Sequence, residues 1–346
     1  MIFLNARNIA LIDSNLQETE EFICGLKEST GLEWKPIICT SNQGRKNKFD
    51  NLKRYFKYFW FPLKIFIQRK KYDNIIGWQE FYGLIYAFYC RLFHVKKSNF
   101  LVIENFIYKP KKGIIGKIYF RFMRYIATGK YVDIFTSASD TNCKFCSDVF
   151  NLRRDKFVFL PFGVNDMTKA IDTSLKPTCD FVLSIGRSNR DWDVLIKSFK
   201  ETKYPLRIVC DELRVDSPSG NIKIYNNIWN EESYKFFYNC KCVVITIDKG
   251  EIASGDTVLL LAMSFSKPII ITRPSCLAND YVIDEYNGLV VDKDPQTIIK
   301  AVERIYSDKE LYEKLSQNAR VLYEKKYTLY KYGINVGNTI KKSRCF

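Results

Sequence analysis

Two turns in the second half of the sequence carry residue types that can hold a phosphate group. The first spans residues 186–191, directly after the apolar run Phe181–Ile185, and contains Gly186, Arg187 and Arg190. Glycine permits a tight turn, the N–H groups that begin the next helix favour an anion, and guanidinium groups make charge-assisted hydrogen bonds to a diphosphate. Taken alone, this turn is equally typical of a structural glycine between solvated arginines.

The second turn precedes a strongly apolar segment at residues 258–263. It contains Glu251, Ser254, Gly255, Asp256 and Thr257. The pattern predicts the N-terminus of a buried helix, where free N–H groups and the positive end of the helix dipole suit phosphate oxygens. In isolation, an ordinary helix cap is the favoured interpretation.

The elements that position these turns follow a regular alternation. Short β-branched runs alternate with helical patterns, clearly from residue 179 onward and less clearly before it. Twelve runs have strand character: residues 9–12, 34–39, 74–76, 100–103, 134–136, 157–160, 181–185, 206–210, 222–225, 243–247, 268–272 and 288–291. This alternation predicts an α/β protein with two parallel sheets, each covered on both faces. Both phosphate-friendly turns then open at the carboxyl edge of one sheet, where such folds bind ligands.

Several segments together resemble one enzyme family. Residues 181–187, 195–199, 253–270 and 287–291 are similar, in order and spacing, to the donor domain of bacterial GT-B glycosyltransferases of the group-1, family 4 retaining type. Residues 160–165 resemble the segment that closes the first domain in that family. The resemblance implies two Rossmann-like domains that face each other across a cleft. We expect an acceptor domain at 1–165, a donor domain at 166–325 and a returning terminal helix at 326–346.

The resemblance also implies a function and a set of site residues. The chain is expected to move a hexose from a nucleoside-diphosphate sugar, with retention, to a lipid-linked or glycan acceptor in bacterial surface polysaccharide synthesis. No metal and no further cofactor are expected. By position, Arg187 and Arg190 hold the diphosphate and stabilise its departure. The other expected donor contacts are Gly186, Asn227, Ile228, Glu251, Ser254, Gly255, Asp256 and Thr257.

The main departure of the sequence from the family concerns two acidic positions, and Ser266 in place of a usual glycine is a milder one. The family usually carries two glutamates eight positions apart, the later one bonded to the donor ribose, and these positions hold Ala253 and Leu261. Glu251 is the candidate that compensates from a longer loop. The departure favours, as the alternative function, a catalytically weak homologue that serves as a binding or assembly partner.

Candidates on the acceptor side come from the first half. Glu104 follows the predicted strand 100–103, where it could act as a base or hydrogen-bond the acceptor, and a rim carboxylate paired with a lysine is the alternative. Glu80 is the next candidate. His94, followed by basic residues, is better interpreted as a cation at a helix end.

Metal-binding patterns are weak. Cys143 and Cys146, like Cys240 and Cys242, could form half of a zinc site, but buried thiols are the favoured interpretation. The Asp-Trp-Asp segment at residues 191–193 imitates a metal motif, although an aspartate that opens a helix is a good cap.

The charge is uneven. The chain has a formal net charge of +16, of which +13 falls on residues 1–170. Two stretches there, residues 46–71 and 109–130, place aromatic and aliphatic residues at helical spacing between lysines and arginines. Such helices suit an anionic membrane surface, whereas the alternatives are a core stripe with a basic edge or a nucleic-acid surface.

We favour the membrane, because no nucleic-acid module is recognisable. No segment is apolar enough to span a bilayer, no secretory signal is recognisable, and eleven scattered cysteines fit a reducing compartment. We therefore expect a cytoplasmic protein, peripheral on the inner membrane face.

Overall fold

The computed structural model describes residues 7–40, 48–172, 174, 176–214, 220–252 and 254–344, with side chains at residues 48–51 left aside. These residues form two compact units. The first unit comprises the described residues up to Leu160 together with those from Leu329 onward, and the second comprises those within Pro161–Thr328. The chain therefore leaves the first unit, builds the second, and ends in the first.

The first unit is built on a six-stranded sheet in which every neighbouring pair is parallel. The spatial order is β2-β1-β3-β4-β5-β6. The strands are β1 (Asn8–Ile12), β2 (Trp34–Ile38), β3 (Asn74–Gly77), β4 (Phe100–Ile103), β5 (Ile134–Ser137) and β6 (Phe157–Phe159). All residues of β1, β3 and β5 are buried, as expected for parallel strands covered on both faces.

Among the described residues, the first unit contains six α-helices. They are α1 (Leu16–Thr30), α2 (Lys48–Ile67), α3 (Glu80–Leu92), α4 (Gly113–Ala127), α5 (Asp140–Phe150) and the terminal helix, numbered α12 (Leu329–Arg344) at its place in the chain. The long helices α2 and α4 are amphipathic, because basic residues alternate with apolar residues at helical spacing.

Helix α12 packs directly on α1 through glycines. A β-carbon on Gly25 would lie 2.2 Å from the backbone oxygen of Tyr330, and one on Gly333 would lie 2.2 Å from the backbone oxygen of Phe22. The two helix backbones approach so closely that no side chain fits between them at these points. The last helix is therefore an integral part of the first unit.

The second unit repeats the architecture with another order. Its six parallel strands are arranged β12-β11-β10-β7-β8-β9. They are β7 (Phe181–Ile185), β8 (Leu206–Val209), β9 (Ile222–Tyr225), β10 (Cys240–Ile245), β11 (Ile269–Arg273) and β12 (Leu289–Asp292). This is the strand order of dinucleotide-binding domains. From β7 the chain first adds strands on one side of the sheet, and from β10 onward it adds them on the other side.

The helices of the second unit are α6 (Trp192–Phe199), α7 (Asn230–Asn239), α8 (Asp256–Ser264), α9 (Cys276–Tyr281), α10 (Pro295–Ser307) and α11 (Lys309–Leu322). Side-chain caps begin several of them. The Asp191 carboxylate accepts the N–H of Val194 at the start of α6, and Asp294 accepts those of Gln296 and Thr297 at the start of α10.

The predicted α/β class and GT-B fold of two Rossmann-like domains are confirmed. All twelve predicted strands are present, displaced by at most a few residues at either end. Among the described residues, no helix is both long and apolar enough to cross a bilayer.

Candidate functional site

The candidate site lies in the second unit, where the strand order reverses. Gly186 follows β7, and the segment after β10 returns to it through an antiparallel bridge between Arg190 and Ile247. A crevice at the carboxyl ends of two strands whose connections diverge is the general ligand position in such sheets. Both phosphate-friendly turns meet at this point, as their places in the predicted sheet required.

Arg190 lies at the centre of this crevice. Its side chain is 8% exposed, and its guanidinium group fills the space beside two glycines. A β-carbon would lie 2.9 Å from the Arg190 Nε atom if built on Gly186, and 2.7 Å from its Nη2 atom if built on Gly255. Both glycines have positive φ, 152° and 99°, which L side chains rarely adopt. The two turns therefore need glycine both for their backbone shape and for the arginine between them.

Two buried polar atoms in this crevice have no hydrogen-bond partner among the described residues. They are Nε of Arg190 and Oγ of Ser254. Arg190 makes one long bond, from Nη1 to the Ser188 backbone oxygen at 3.3 Å. Buried polar groups are nearly always paired, so an unpaired guanidinium N–H next to Gly255, together with an unpaired hydroxyl on the preceding residue, indicates an oxygen-rich ligand. Gly255, next to Ser254, is also the N-cap of α8, where free N–H groups add positive potential.

The charges agree with an anion at this position. Burial lowers the pKa of Arg190 to about 10, and the nearby Asp256 carboxylate acts in the opposite direction, so the guanidinium group stays charged at neutral pH. Burial raises the pKa of Asp256, although its Oδ1 atom accepts the N–H of Thr257 at 2.9 Å. Arg190 thus places a positive charge at a buried position, where it interacts more strongly than it would in water.

A cavity of about 200 Å³ adjoins the crevice at Gly186, which is one of its lining residues. It lies at the carboxyl ends of β7 and β8 and beside α7 and α8. Its lining residues are Ile185, Gly186, Arg187, Val209, Cys210, Asp211, Ile228, Trp229, Asn230, Ser233, Tyr234 and Leu261. The walls combine apolar side chains with polar and charged groups such as Arg187, Asp211 and Asn230, a mixture that can both enclose and orient a small molecule.

Arg187 belongs to this cavity and is held differently from Arg190. Its Cζ atom lies 3.8 Å from the ring centroid of Trp229, and its Nε atom lies 3.8 Å from Oδ2 of Asp211. The side chain is half exposed. One arginine is therefore buried between two glycines, and the other stacks on an aromatic ring at the cavity wall.

The structure brings most of the predicted donor contacts together. Ile228 lines the cavity, and the backbone N–H of Asn227, which has a left-handed conformation, donates to Oδ1 of Asp211 at 2.7 Å. Thr257 is exposed in the first turn of α8. Glu251 is exposed in the preceding turn and is not a lining residue of the cavity. Ala253 lies outside the described residues.

Sequence reasoning missed two residues of this cavity, Asp211 and Trp229. Asp211 follows β8 and Trp229 precedes α7, so the carboxyl-edge rule that selected Gly186 also selects Asp211. Their contacts with Arg187 join positions that are far apart in the sequence, and no local pattern reveals them.

Glu104 lies in the first unit and is only 2% exposed. The Thr136 hydroxyl donates to its Oε2 atom at 3.1 Å, and the Tyr332 hydroxyl of α12 donates to the same atom. The other carboxylate oxygen, Oε1, has no partner among the described residues. Burial raises the pKa of Glu104 to about 7. Its role as a base or acceptor contact stays a prediction, now for a carboxyl group that is buried and partly protonated at neutral pH.

The structure also shows the positions of the other two candidates, Glu80 and His94. Glu80 begins α3, its carboxylate accepts the Ile107 N–H at 3.3 Å, and burial raises its pKa to about 7. His94 is exposed just after the end of α3.

The metal-like patterns have structural positions. Cys143 and Cys146 are buried cysteines on α5, and Cys240 and Cys242 are buried cysteines on β10; none of the four is in a disulfide. Across the ranges that the structure describes, no three His, Cys, Asp or Glu side chains are grouped to hold a metal ion.

The two basic, apolar helices of the first unit expose large hydrophobic side chains. On α4, Ile114, Ile115 and Ile118 are 78%, 74% and 63% exposed. On α2, the exposed hydrophobic residues are Leu52, Tyr55, Phe56, Phe59, Trp60 and Ile67. The other faces of both helices pack on the core, so the predicted core stripe and the predicted exposed face are both present.

Comparison by sequence gives one family. Residues 172–322 match the sequence model of the family described as glycosyl transferases group 1. No curated protein matches the chain by sequence.

Comparison by structure extends over the whole chain. HepE of Anabaena, solved with UDP and glucose, is 13% identical at a TM-score of 0.66, over 97% of this chain and 99% of that one. Sucrose-phosphate synthase of Thermosynechococcus elongatus is 13% identical at a TM-score of 0.67, over 98% and 99%. WaaG, a glycosyltransferase involved in lipopolysaccharide biosynthesis, is 13% identical at a TM-score of 0.59, over 96% and 99%. At such identities the likeness establishes the fold.

Proposed function

We propose that this chain, whose residues 172–322 form a group 1 glycosyltransferase domain in a GT-B fold, transfers a sugar from a nucleoside-diphosphate donor to an acceptor hydroxyl. One observation carries the proposal. Arg190, buried between Gly186 and Gly255, has an unpaired Nε atom, and Ser254, which precedes Gly255 at the N-terminus of α8, has an unpaired hydroxyl among the described residues. A diphosphate supplies the oxygens that these donors lack.

The chemistry follows from where charge develops. When the bond between the sugar and the diphosphate breaks, negative charge accumulates on the departing phosphate oxygens. The Arg190 guanidinium and the N–H groups of α8 are already in place, so they stabilise that developing charge without reorganising. Because these groups supply positive charge themselves, we propose transfer without a divalent metal ion or other cofactor. Retention of configuration and a hexosyl donor belong to the same proposal and rest on the family resemblance.

The acceptor in this proposal is a lipid-linked saccharide or glycan in bacterial surface polysaccharide synthesis. WaaG, to which the chain is similar in fold, is described as acting in lipopolysaccharide biosynthesis. The exposed apolar residues of α2 and α4 support a membrane position, since Lys53, Lys57 and Lys64 accompany Phe56 and Trp60 around an apolar groove of about 570 Å³. We propose that the protein is cytoplasmic and that this face rests on anionic lipid.

A second candidate function is supported by Leu261. This apolar side chain lines the donor cavity at the position where the resembled family carries an acid. A homologue that binds donor nucleotide with little turnover, and serves as an assembly partner, fits that substitution.

The test separates these two functions. Thermal shift and calorimetry with UDP, GDP and ADP should show binding by the wild-type protein that Arg187→Ala weakens and Arg190→Gln abolishes. Arg304→Ala, which removes a surface arginine paired with Glu285 in the same unit, is the control. Release of nucleoside diphosphate from UDP-glucose, GDP-mannose or ADP-glucose then reports turnover. Binding without turnover favours the second function, and no binding by any of the three diphosphates contradicts both.

A further inference from the structure

The cavity beside Gly186 contains one carboxylate among its described lining residues, that of Asp211. Its Oδ1 atom accepts the backbone N–H of Asn227 at 2.7 Å, which fixes the orientation of the group. Its Oδ2 atom lies 3.8 Å from Nε of Arg187, beyond hydrogen-bond distance. The Asp211 carboxylate is therefore held in place with acceptor capacity left on Oδ2.

A carboxylate in this position constrains which end of a nucleotide enters the cavity. Negative charge repels a diphosphate, whereas it accepts hydrogen bonds from neutral hydroxyl groups. The diphosphate is instead drawn to Arg190 and the N-terminus of α8, next to Gly186, which also lines the cavity. A nucleoside diphosphate bound across Gly186 therefore places its uncharged nucleoside in the cavity with Asp211.

The walls around Asp211 suit the rest of a nucleoside. Ile228, Trp229 and Leu261 give flat or apolar surfaces for a base. Arg187, stacked on Trp229, lies beside Asp211 and offsets its charge from one side. Every ribonucleoside carries two neighbouring hydroxyls, which can share one carboxylate, whereas donors on the base edge vary with the base.

We propose that Asp211 binds the ribose 2′- and 3′-hydroxyl groups of the donor nucleotide and so selects ribonucleotides. This inference rests on the proposed function, because it assigns the sugar end of the same donor. Glu251, the acid that the sequence suggested for this role, is exposed outside the cavity wall. Asp211 is then a specificity-determining residue that acts by direct contact with the donor.

The experiment compares one nucleotide with and without its hydroxyls. Whichever of UDP, GDP and ADP binds the wild-type protein is titrated by calorimetry beside its 2′,3′-dideoxy analogue. We expect the wild-type protein to bind the ribonucleotide at least tenfold more tightly. Asp211→Asn, whose amide oxygen can still accept the Asn227 N–H, should lose most of that difference while binding the dideoxy analogue as before.

The controls separate failure of this inference from failure of the proposed function. Glu212→Gln makes the same charge change one residue away at an exposed position, and should leave both affinities unchanged. Asp211→Ala repeats the test without a residual acceptor, and melting of each free variant checks folding. Equal losses for both nucleotides would show that Asp211 reads another part of the donor, and would overturn the inference alone. No binding by the wild-type protein overturns both.

Discussion

The Arg190 guanidinium occupies the space that a side chain on Gly255 would need, with Nη2 2.7 Å from the position of a β-carbon there. This relationship explains why two turns separated by more than sixty residues each need a glycine. Each supplies a glycine that leaves room for the same buried arginine. The Arg190 charge therefore lies close to the N-terminus of α8.

Gly255→Ala should damage both stability and binding. The left-handed backbone at φ 99° costs a non-glycine residue about 1–3 kcal/mol, and the added methyl group must also displace Arg190. We expect a lower melting temperature and a loss of diphosphate binding of at least tenfold, measured by thermal melting and calorimetry. Gly220→Ala is the matched control, since a β-carbon there meets nothing within 4 Å. Unchanged binding by Gly255→Ala would contradict the proposed role of Arg190.

Ser254→Ala should separate binding from stability. The Ser254 hydroxyl is buried without a partner among the described residues, and an unsatisfied buried polar atom costs about 1–3 kcal/mol. Its removal should leave the free protein as stable as before, or more stable, while weakening diphosphate binding about tenfold. Ser198→Ala, outside the cavity lining, removes a hydroxyl that donates to the Val194 backbone oxygen within α6, and should leave diphosphate binding unchanged. A destabilised Ser254→Ala protein with normal binding would show that the hydroxyl has a structural partner.

Glu104 should make folding stability depend on pH. Its folded pKa of about 7 lies above the ordinary value of 4.5, so the folded chain keeps a proton that the unfolded chain releases. Stability therefore falls as pH rises from about 4.5 to about 7, by about 1.4 kcal/mol per pH unit, or about 2 kcal/mol between pH 5.5 and 7.

Glu104→Gln removes this titration. Urea unfolding should show the variant gaining about 2 kcal/mol relative to the wild-type protein between pH 5.5 and 7.5. Glu33→Gln, at an exposed carboxylate of the same unit, should follow the wild-type profile. Comparison of variants is required because Glu80, whose pKa burial also raises to about 7, contributes the same slope to each. Parallel profiles for wild type and Glu104→Gln would contradict the assignment.

The exposed isoleucines of α4 should contribute to lipid binding. Replacing Ile114, Ile115 and Ile118 with serine removes three apolar side chains worth up to about 1.5–3 kcal/mol each if fully buried. We expect at least a tenfold loss of binding to phosphatidylglycerol vesicles in flotation, with little change in melting temperature because these side chains are exposed.

A comparison at other exposed positions makes this test specific. Ile283→Ser with Val321→Ser removes exposed apolar side chains from the second unit and should float like the wild-type protein. Equal flotation of the α4 variant and the wild-type protein would contradict the proposed membrane face. Equal flotation of the wild-type protein with neutral and with anionic vesicles would also contradict it.

The fold was predictable from the sequence because its strands correspond to continuous apolar runs. Buried parallel strands such as Phe181–Ile185 need β-branched or aromatic residues on both faces, and the glycines and helical patterns between them mark their ends. The meeting of the turns at Gly186 and Gly255 followed from the rule that parallel strands share a carboxyl edge.

What sequence could not give depends on distant partners. Glu104 was placed at a strand end, but its bond from Tyr332 joins residues 228 positions apart, so its burial was not visible locally. The Arg187 contacts with Asp211 and Trp229 arise because two loops fold against β7. The sequence assigned Arg187 and Arg190 the same role. In the structure Arg190 is buried and Arg187 is half exposed, a difference that depends on side-chain packing.

The seating of α12 on α1, through Gly25 and Gly333, affects how the protein is made. During translation the first sheet emerges long before the helix that completes its unit, and the whole second unit is synthesised between them. The surface of α1 that α12 covers stays uncovered until Leu329–Arg344 has been synthesised. The second unit can therefore mature while the chain is still being made, and the first reaches its native state only after synthesis of its last helix.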